Sequence, residues 1–181
     1  MTLPLPANAA WLVTTEVGGW DCNGIYDQYH DVSNYFSIDF SWRNDDGTGK
    51  AVYSSTDRIP VYAAADGTVV AAPETEDLSN GFYVVIDHDQ DGDASTGFST
   101  RYLHLDEAPS VKVGQMVSRR ELIGYMGSTG LSKGKHLHFG VRYENNGSYD
   151  SAVQHILLSS WPLKQFQTEC NNSIPIRYYW P

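Results

Sequence analysis

Gly134-Lys-His-Leu-His-Phe-Gly-Val-Arg-Tyr143 has a period of two: Leu137, Phe139, Val141 and Tyr143 alternate with His136, His138 and Arg142. A strand sends successive side chains to opposite faces, so this run reads as a half-buried strand with two imidazoles on its polar side. Tyr35-Phe-Ser-Ile-Asp-Phe-Ser-Trp42 repeats the pattern, with Phe36, Ile38, Phe40 and Trp42 on one face and Asp39 on the other. Outward from these two, Val61 to Ala65 and Thr68 to Ala72 are short extended runs across an Asp66-Gly67 turn. Phe82 to Asp87, Ser99 to Leu105, Val111 to Val117 and Leu122 to Met126 are further β-like runs. The one helix expected is Ser151 to Leu158, behind an N-cap at Asp150. Short strands at regular spacing with turn signals predict an all-β domain, a sandwich or open barrel.

The composition agrees with a single folded domain. The chain has 181 residues, is 41% apolar and 19% charged, and carries a formal charge of −10. That is apolar enough for a core and too weakly charged for a disordered chain. No apolar run reaches the ~18 to 20 residues of a membrane helix, so a helical span is excluded. Nucleic-acid affinity comes largely from Lys and Arg neutralising phosphates, and this acidic chain lacks that balance. Cys22 and Cys170 either close a bridge over a long loop, worth ~4 to 5 kcal/mol and indicating an oxidising compartment, or are two unrelated thiols.

Chemistry concentrates on the histidines. Two imidazoles on one strand face suit a metal ligand beside a proton-transfer group, or are simply solvated. His104 and Tyr102 are expected on one side of the Ser99 to Leu105 run, which makes Tyr102 a candidate for an additional hydrogen-bond donor beside the histidines. With His30 and Asp39 the inventory is four imidazoles and one carboxylate. A catalytic zinc site needs three such ligands and one open position. His88 reads as a strand-end residue and His155 as structural or exposed.

Six runs occur in order: Pro60 to Val69, Tyr83-Val-Val-Ile-Asp-His88, Arg101-Tyr-Leu-His-Leu105, Val113-Gly-Gln-Met-Val117, Ile123-Gly-Tyr-Met-Gly-Ser-Thr-Gly130 and His136-Leu-His-Phe139. Together they resemble the lysostaphin, LytM and staphylolysin type of zinc endopeptidase over roughly residues 30 to 143. The resemblance implies an antiparallel β-sheet groove, zinc held by His30, Asp39 and His138, and bacterial cell-wall peptide as substrate. It leaves His104 and His136 as the catalytic pair, with His136 favoured as general base and His104 as stabiliser of the tetrahedral intermediate, roles that can be exchanged. The nine-residue step from His30 to Asp39 is closer to the staphylolysin branch than to the commoner step of four. Gly134-Lys135 is no phosphate loop, because no Ser or Thr follows and a strand comes next.

The implied function is a zinc endopeptidase cutting peptidoglycan stems or cross-links. The alternatives are a non-catalytic envelope-binding or amidase-regulating module on the same fold, and a calcium-dependent surface-binding β-domain. Calcium enters because Asp87, Asp89, Asp91 and Asp93 alternate through Gly92 like the first half of a calcium loop. Phe98 stands where an EF-hand has its Glu, so the loop is no EF-hand, and a plain solvated loop is the other reading. The expected organisation is an N-terminal extension over 1–29, a catalytic domain over 30–160 and a packing tail over 161–181, in a monomer. Met1-Thr-Leu-Pro has no basic n-region or long apolar stretch, so a secreted or periplasmic protein without its export signal is expected. The net charge repels a teichoic-acid-rich wall, which points to periplasmic use, a high-salt habitat or a separate targeting domain.

Overall fold

A computed structural model describes residues 1–15, 25–26, 37–46, 48–145, 148–149 and 177–178. The described residues form β1 (Ala10–Thr15), β2 (Ser37–Asp45), β3 (Pro60–Tyr62), β4 (Gly67–Ala71), β5 (Phe82–Asp87), β6 (Gly97–Leu105), β7 (Met116–Val117), β8 (Leu122–Tyr125), β9 (His136–Asn145), β10 (Ser148–Tyr149) and β11 (Arg177–Tyr178). No helix occurs among them. The helix expected at Ser151 to Leu158, both cysteines, His30, His155, Tyr35 and Phe36 lie outside the described residues.

The all-β expectation holds, and the pairings are antiparallel throughout. One sheet runs β11-β1-β2-β9-β6-β5-β4-β7, with β10 folded onto β9; a second pairs β3 with β8. The two alternating runs quoted first are sheet neighbours: Ile38 faces Phe139, and Phe40 faces Leu137. These four side chains are buried in one apolar cluster with Trp11, Val84, Ile86 and Leu105 from the large sheet and Val61 and Ile123 from the small one. The polar faces of the same strands must then lie on the opposite side of the large sheet. That is what carries Asp39, His136 and His138 to a common surface.

The Asp66-Gly67 turn does not close a hairpin. β3 pairs with β8 while β4 pairs with β5 and β7, so the chain crosses between sheets here. The crossing is held by backbone bonds from Ala63 N–H to Glu121 C=O and from Arg120 N–H to Ala63 C=O, with Ala63 and Ala64 small enough to be fully buried. Most of the run from Val111 to Val117 is loop, with only Met116 and Val117 paired to β4. The first fifteen residues contribute to the main core: Leu5, Trp11 and Val13 are buried, and Trp11 Nε1 donates to Pro6 C=O at 3.0 Å.

Candidate functional site

β2 and β9 set the first pair. Asp39 stands opposite His138, and Ser41 opposite His136, in the antiparallel ladder. His138 Nδ1 lies 3.0 Å from Asp39 Oδ1, and His136 Nε2 lies 3.9 Å from the same oxygen. Asp39 and His138 are both nearly buried, at 7% and 5% exposure, in a setting where an ionised carboxylate needs a cation or donors.

His104 arrives by a different route. Regular alternation along β6 would send it into the core with Tyr102. Its φ of 63° puts it in the left-handed region instead, and the imidazole turns back toward β9. Its ring centroid lies 4.8 Å from that of His136 and 6.2 Å from that of His138. Tyr102 stays behind in the core, 5.3 Å from the Phe139 ring centroid. The expectation that these two side chains share a face is therefore wrong, because the β5–β6 register shifts between Tyr102 and Leu105 and His104 takes a left-handed φ. Tyr102 is no donor to the site: its hydroxyl accepts Ala64 N–H at 2.8 Å and pairs with Thr100 Oγ1, and burial pushes its phenol up to about 12.

Tautomers follow from the partners. A carbonyl can only accept, so His104 Nδ1–H donates to Thr129 C=O at 2.8 Å, and His136 Nδ1–H donates to Gly134 C=O at 2.8 Å. In both neutral rings Nε2 then carries the lone pair. Burial, reinforced by the neighbouring His136, pushes the His104 imidazole down to about 4, against the opposing effect of the Thr129 carbonyl.

These groups line a cleft of about 420 Å³ together with Thr14, Trp42, Arg43 and the loop from Leu131 to Lys135. The alternation placed Trp42 on the apolar face, yet it is only partly buried against the core and also lines the cleft; Thr14, Arg43, Lys133 and the backbone of Thr129 were not singled out by the sequence reading. Trp42 and Arg43 extend the β2 run that carries Asp39, which is the one signal that could have found them. Asp39 and His138 offer an oxygen and a nitrogen to one point in space. The third expected ligand, His30, lies outside the described residues.

The acidic loop is built differently from the expected four-carboxylate cage. Ligand atoms of Asp87, Asp89 and Asp91 lie within 4.8 Å of one another. Asp93 does not join them, because it accepts the Ser95 N–H and hydroxyl in a local turn. Asp87 already accepts N–H groups of Asp89 and Gly92, and Asp91 accepts the Thr96 hydroxyl. The hydrogen-bonded Asp87 side chain, then burial and the Asp87 charge, raise Asp89 to about 6. His88 closes the strand end, bonding Asp66 C=O and Thr100 Oγ1 through its two ring nitrogens, both at 2.8 Å.

Residues 46–151 match the model of Peptidase family M23. The peptidoglycan DD-endopeptidase ShyB of Vibrio cholerae serotype O1 is 41% identical over 86 residues, which are 48% of this chain and 18% of ShyB. The crystal structure of a zinc-containing peptidase from Vibrio cholerae matches with a TM-score of 0.54 and 26% identity, over 82% of this chain and 37% of that one. Lysostaphin from Staphylococcus simulans matches with a TM-score of 0.53 and 20% identity, over 92% of this chain and 55% of that one, a likeness of fold. This chain thus spans less than a fifth of the length of ShyB. With more than half of its residues matched by the family model, the chain belongs to peptidase family M23.

Proposed function

We propose that the protein is a zinc-dependent endopeptidase of the bacterial cell envelope that hydrolyses peptide bonds in peptidoglycan cross-links or stem peptides. His30, Asp39 and His138 are its zinc ligands, and His104 and His136 its catalytic pair. The observation that carries this reading is the approach of Asp39 Oδ1 and His138 Nδ1 to 3.0 Å, with two further imidazoles beside them in an open cleft.

The donor set suits the ion. Two ligand atoms on tetrahedral zinc lie roughly 3.3 Å apart at ordinary Zn–N and Zn–O lengths, close to the separation of these two atoms. When bound, zinc acidifies water and polarises a carbonyl. His136 Nε2 accepts the proton of the attacking water, since Nδ1–H is committed to Gly134 C=O and Nε2 lies 3.9 Å from Asp39 Oδ1, facing the proposed ligands. His104 Nε2 faces the same chemistry as a neutral acceptor and becomes a donor when protonated, a form that a negative tetrahedral oxygen favours. Trp42 and Leu131 supply apolar wall to the cleft, where a peptide would lie.

The substrate class rests on family membership and on the description of ShyB as a peptidoglycan DD-endopeptidase. Digestion of purified muropeptides, with products identified by mass spectrometry with and without a zinc chelator, tests it. New amine and carboxyl ends that vanish with the chelator and in Asp39→Ala and His138→Ala are expected. Intact muropeptides at full zinc loading refute the assignment.

A further inference from the structure

Three features around His104 converge on one hydroxyl. β5 and β6 are irregular at the same level: the β5 register shifts between Phe82 and Val84, and His104 on β6 takes a left-handed backbone. Phe82 and Leu105 are cross-strand partners there. The Thr129 hydroxyl stands between them, accepting Phe82 N–H at 2.9 Å and donating to Leu105 C=O at 2.5 Å. Its own carbonyl accepts His104 Nδ1–H. One residue therefore occupies the gap in the ladder and sets the tautomer of the imidazole that the gap releases.

The contact is too close for side chains on the partner loop. A Cβ on Gly81 would meet Thr129 Oγ1 at 2.2 Å, and one on Gly130 would meet Gly81 N at 2.2 Å; both have positive φ, 69° in each case. The same loop pair is joined by Gly130 N–H to Glu76 Oε1, Leu131 N–H to Ser79 C=O and His104 N–H to Asn80 C=O. Backbone and ring of His104 are thus held from two sides by interlocked loops, with Thr129 at their centre.

We propose that Thr129 is a positioning residue for His104: its side chain wedges open the β5–β6 ladder so that His104 leaves the core face, and its carbonyl holds the ring as the Nδ1–H tautomer. This rests on the endopeptidase reading only for the part in which His104 serves catalysis. Thr129→Val keeps the shape and removes the hydroxyl, whereas Thr129→Ser keeps the hydroxyl. Gly81→Ala presses from the other loop on both the Thr129 hydroxyl and the Thr129 carbonyl that holds the ring.

The test compares these variants of the full chain by imidazole ¹⁵N NMR, zinc content, thermal melting, and kcat and KM on muropeptides. The His104 resonances are identified by their loss in His104→Gln. In Thr129→Val and Gly81→Ala, the His104 spectrum is expected to move from a single Nδ1–H tautomer to a mixture. Their kcat should fall by about 10- to 100-fold, the usual cost of losing a partner that orients a site residue, with KM and zinc content within about twofold. Thr129→Ser should remain near wild type in all readouts. An unchanged His104 tautomer in folded Thr129→Val or Gly81→Ala overturns the proposal, as does a loss of turnover that merely tracks the loss of folded protein. If Thr129→Val does not fold, Gly81→Ala and Thr129→Ser still decide. A wild-type protein that cleaves no muropeptide refutes the endopeptidase reading, while the NMR comparison continues to judge Thr129.

Discussion

Asp39 and His138 lie 99 residues apart in sequence and directly opposite each other on neighbouring strands, with Oδ1 and Nδ1 at 3.0 Å. The ladder that pairs Ile38 with Phe139 and Phe40 with Leu137 inside the core forces the intervening pair onto the other face. Core packing and site geometry are therefore one register. A one-residue slip would turn the carboxylate into the apolar core and the apolar side chains out of it.

Removing either member should abolish metal retention. Asp39→Ala and His138→Ala are expected to lose zinc on dialysis and to fall at least about 100-fold in muropeptide hydrolysis, the scale set by altering a metal site. Elemental analysis beside the activity assay checks both. A zinc-replete, active Asp39→Ala would end the proposed ligand set.

His104 should make the zinc-free protein acid-sensitive. Its folded value near 4 lies below the 6.5 of an unfolded histidine, so the unfolded state binds the extra proton between them. The associated stability is full above about pH 6.5 and lost as pH falls toward 4, on the order of 3 kcal/mol for this group. Melting curves of the zinc-free protein and of its His104→Gln variant, taken from pH 4 to 8, should diverge as the pH rises. Parallel curves would contradict the burial of this ring.

Asp89 carries the opposite sign for a carboxylate. Its folded value of about 6 exceeds the usual 3.8 because the Asp87 side chain holds it by a hydrogen bond and repels its charge. Its contribution is present below about pH 3.8 and lost as pH rises through 6. Asp89→Asn should therefore melt higher than wild type at pH 8, by a degree or two, and no higher at pH 4. Equal melting points at pH 8 would count against the coupling.

The cleft carries cations in an acidic protein. Arg43, whose guanidinium lies 5.9 Å from the Trp42 ring, and Lys133 line it. Lys135 is already committed to the carbonyls of Ser55 and Asp57. Arg43→Ala and Lys133→Ala are expected to raise KM for carboxylate-bearing peptides about 3- to 10-fold at low salt, with kcat little changed and the difference shrinking at high salt. KM values measured in two ionic strengths would show it, and salt-independent KM values would refute it.

Much of the site was legible because period two is a local property. The alternation around Asp39 and around His136 and His138 tells which side chains share a face before any fold is known. His104 broke that logic. Nothing in Arg101-Tyr-Leu-His-Leu105 announces a left-handed residue, since the hydroxyl and carbonyl that impose it come from Thr129, 25 residues downstream. The Asp66-Gly67 turn misled for a related reason. A turn dipeptide reports a local bend, and which sheet each flanking run joins depends on partners elsewhere, here β8 for one and β5 and β7 for the other.

The sequence by itself determined the strand class, the inward and outward faces of β2 and β9, and the residue types available for zinc chemistry, because these follow from alternation and side-chain chemistry. Only the tertiary structure decided which of those residues meet. Strand order, the 3.0 Å approach of Asp39 to His138, and the return of His104 to the cleft all depend on backbone partners distant in the chain. Hydrogen bonds between such partners carry no local signature, so they exist only once the sheet has closed.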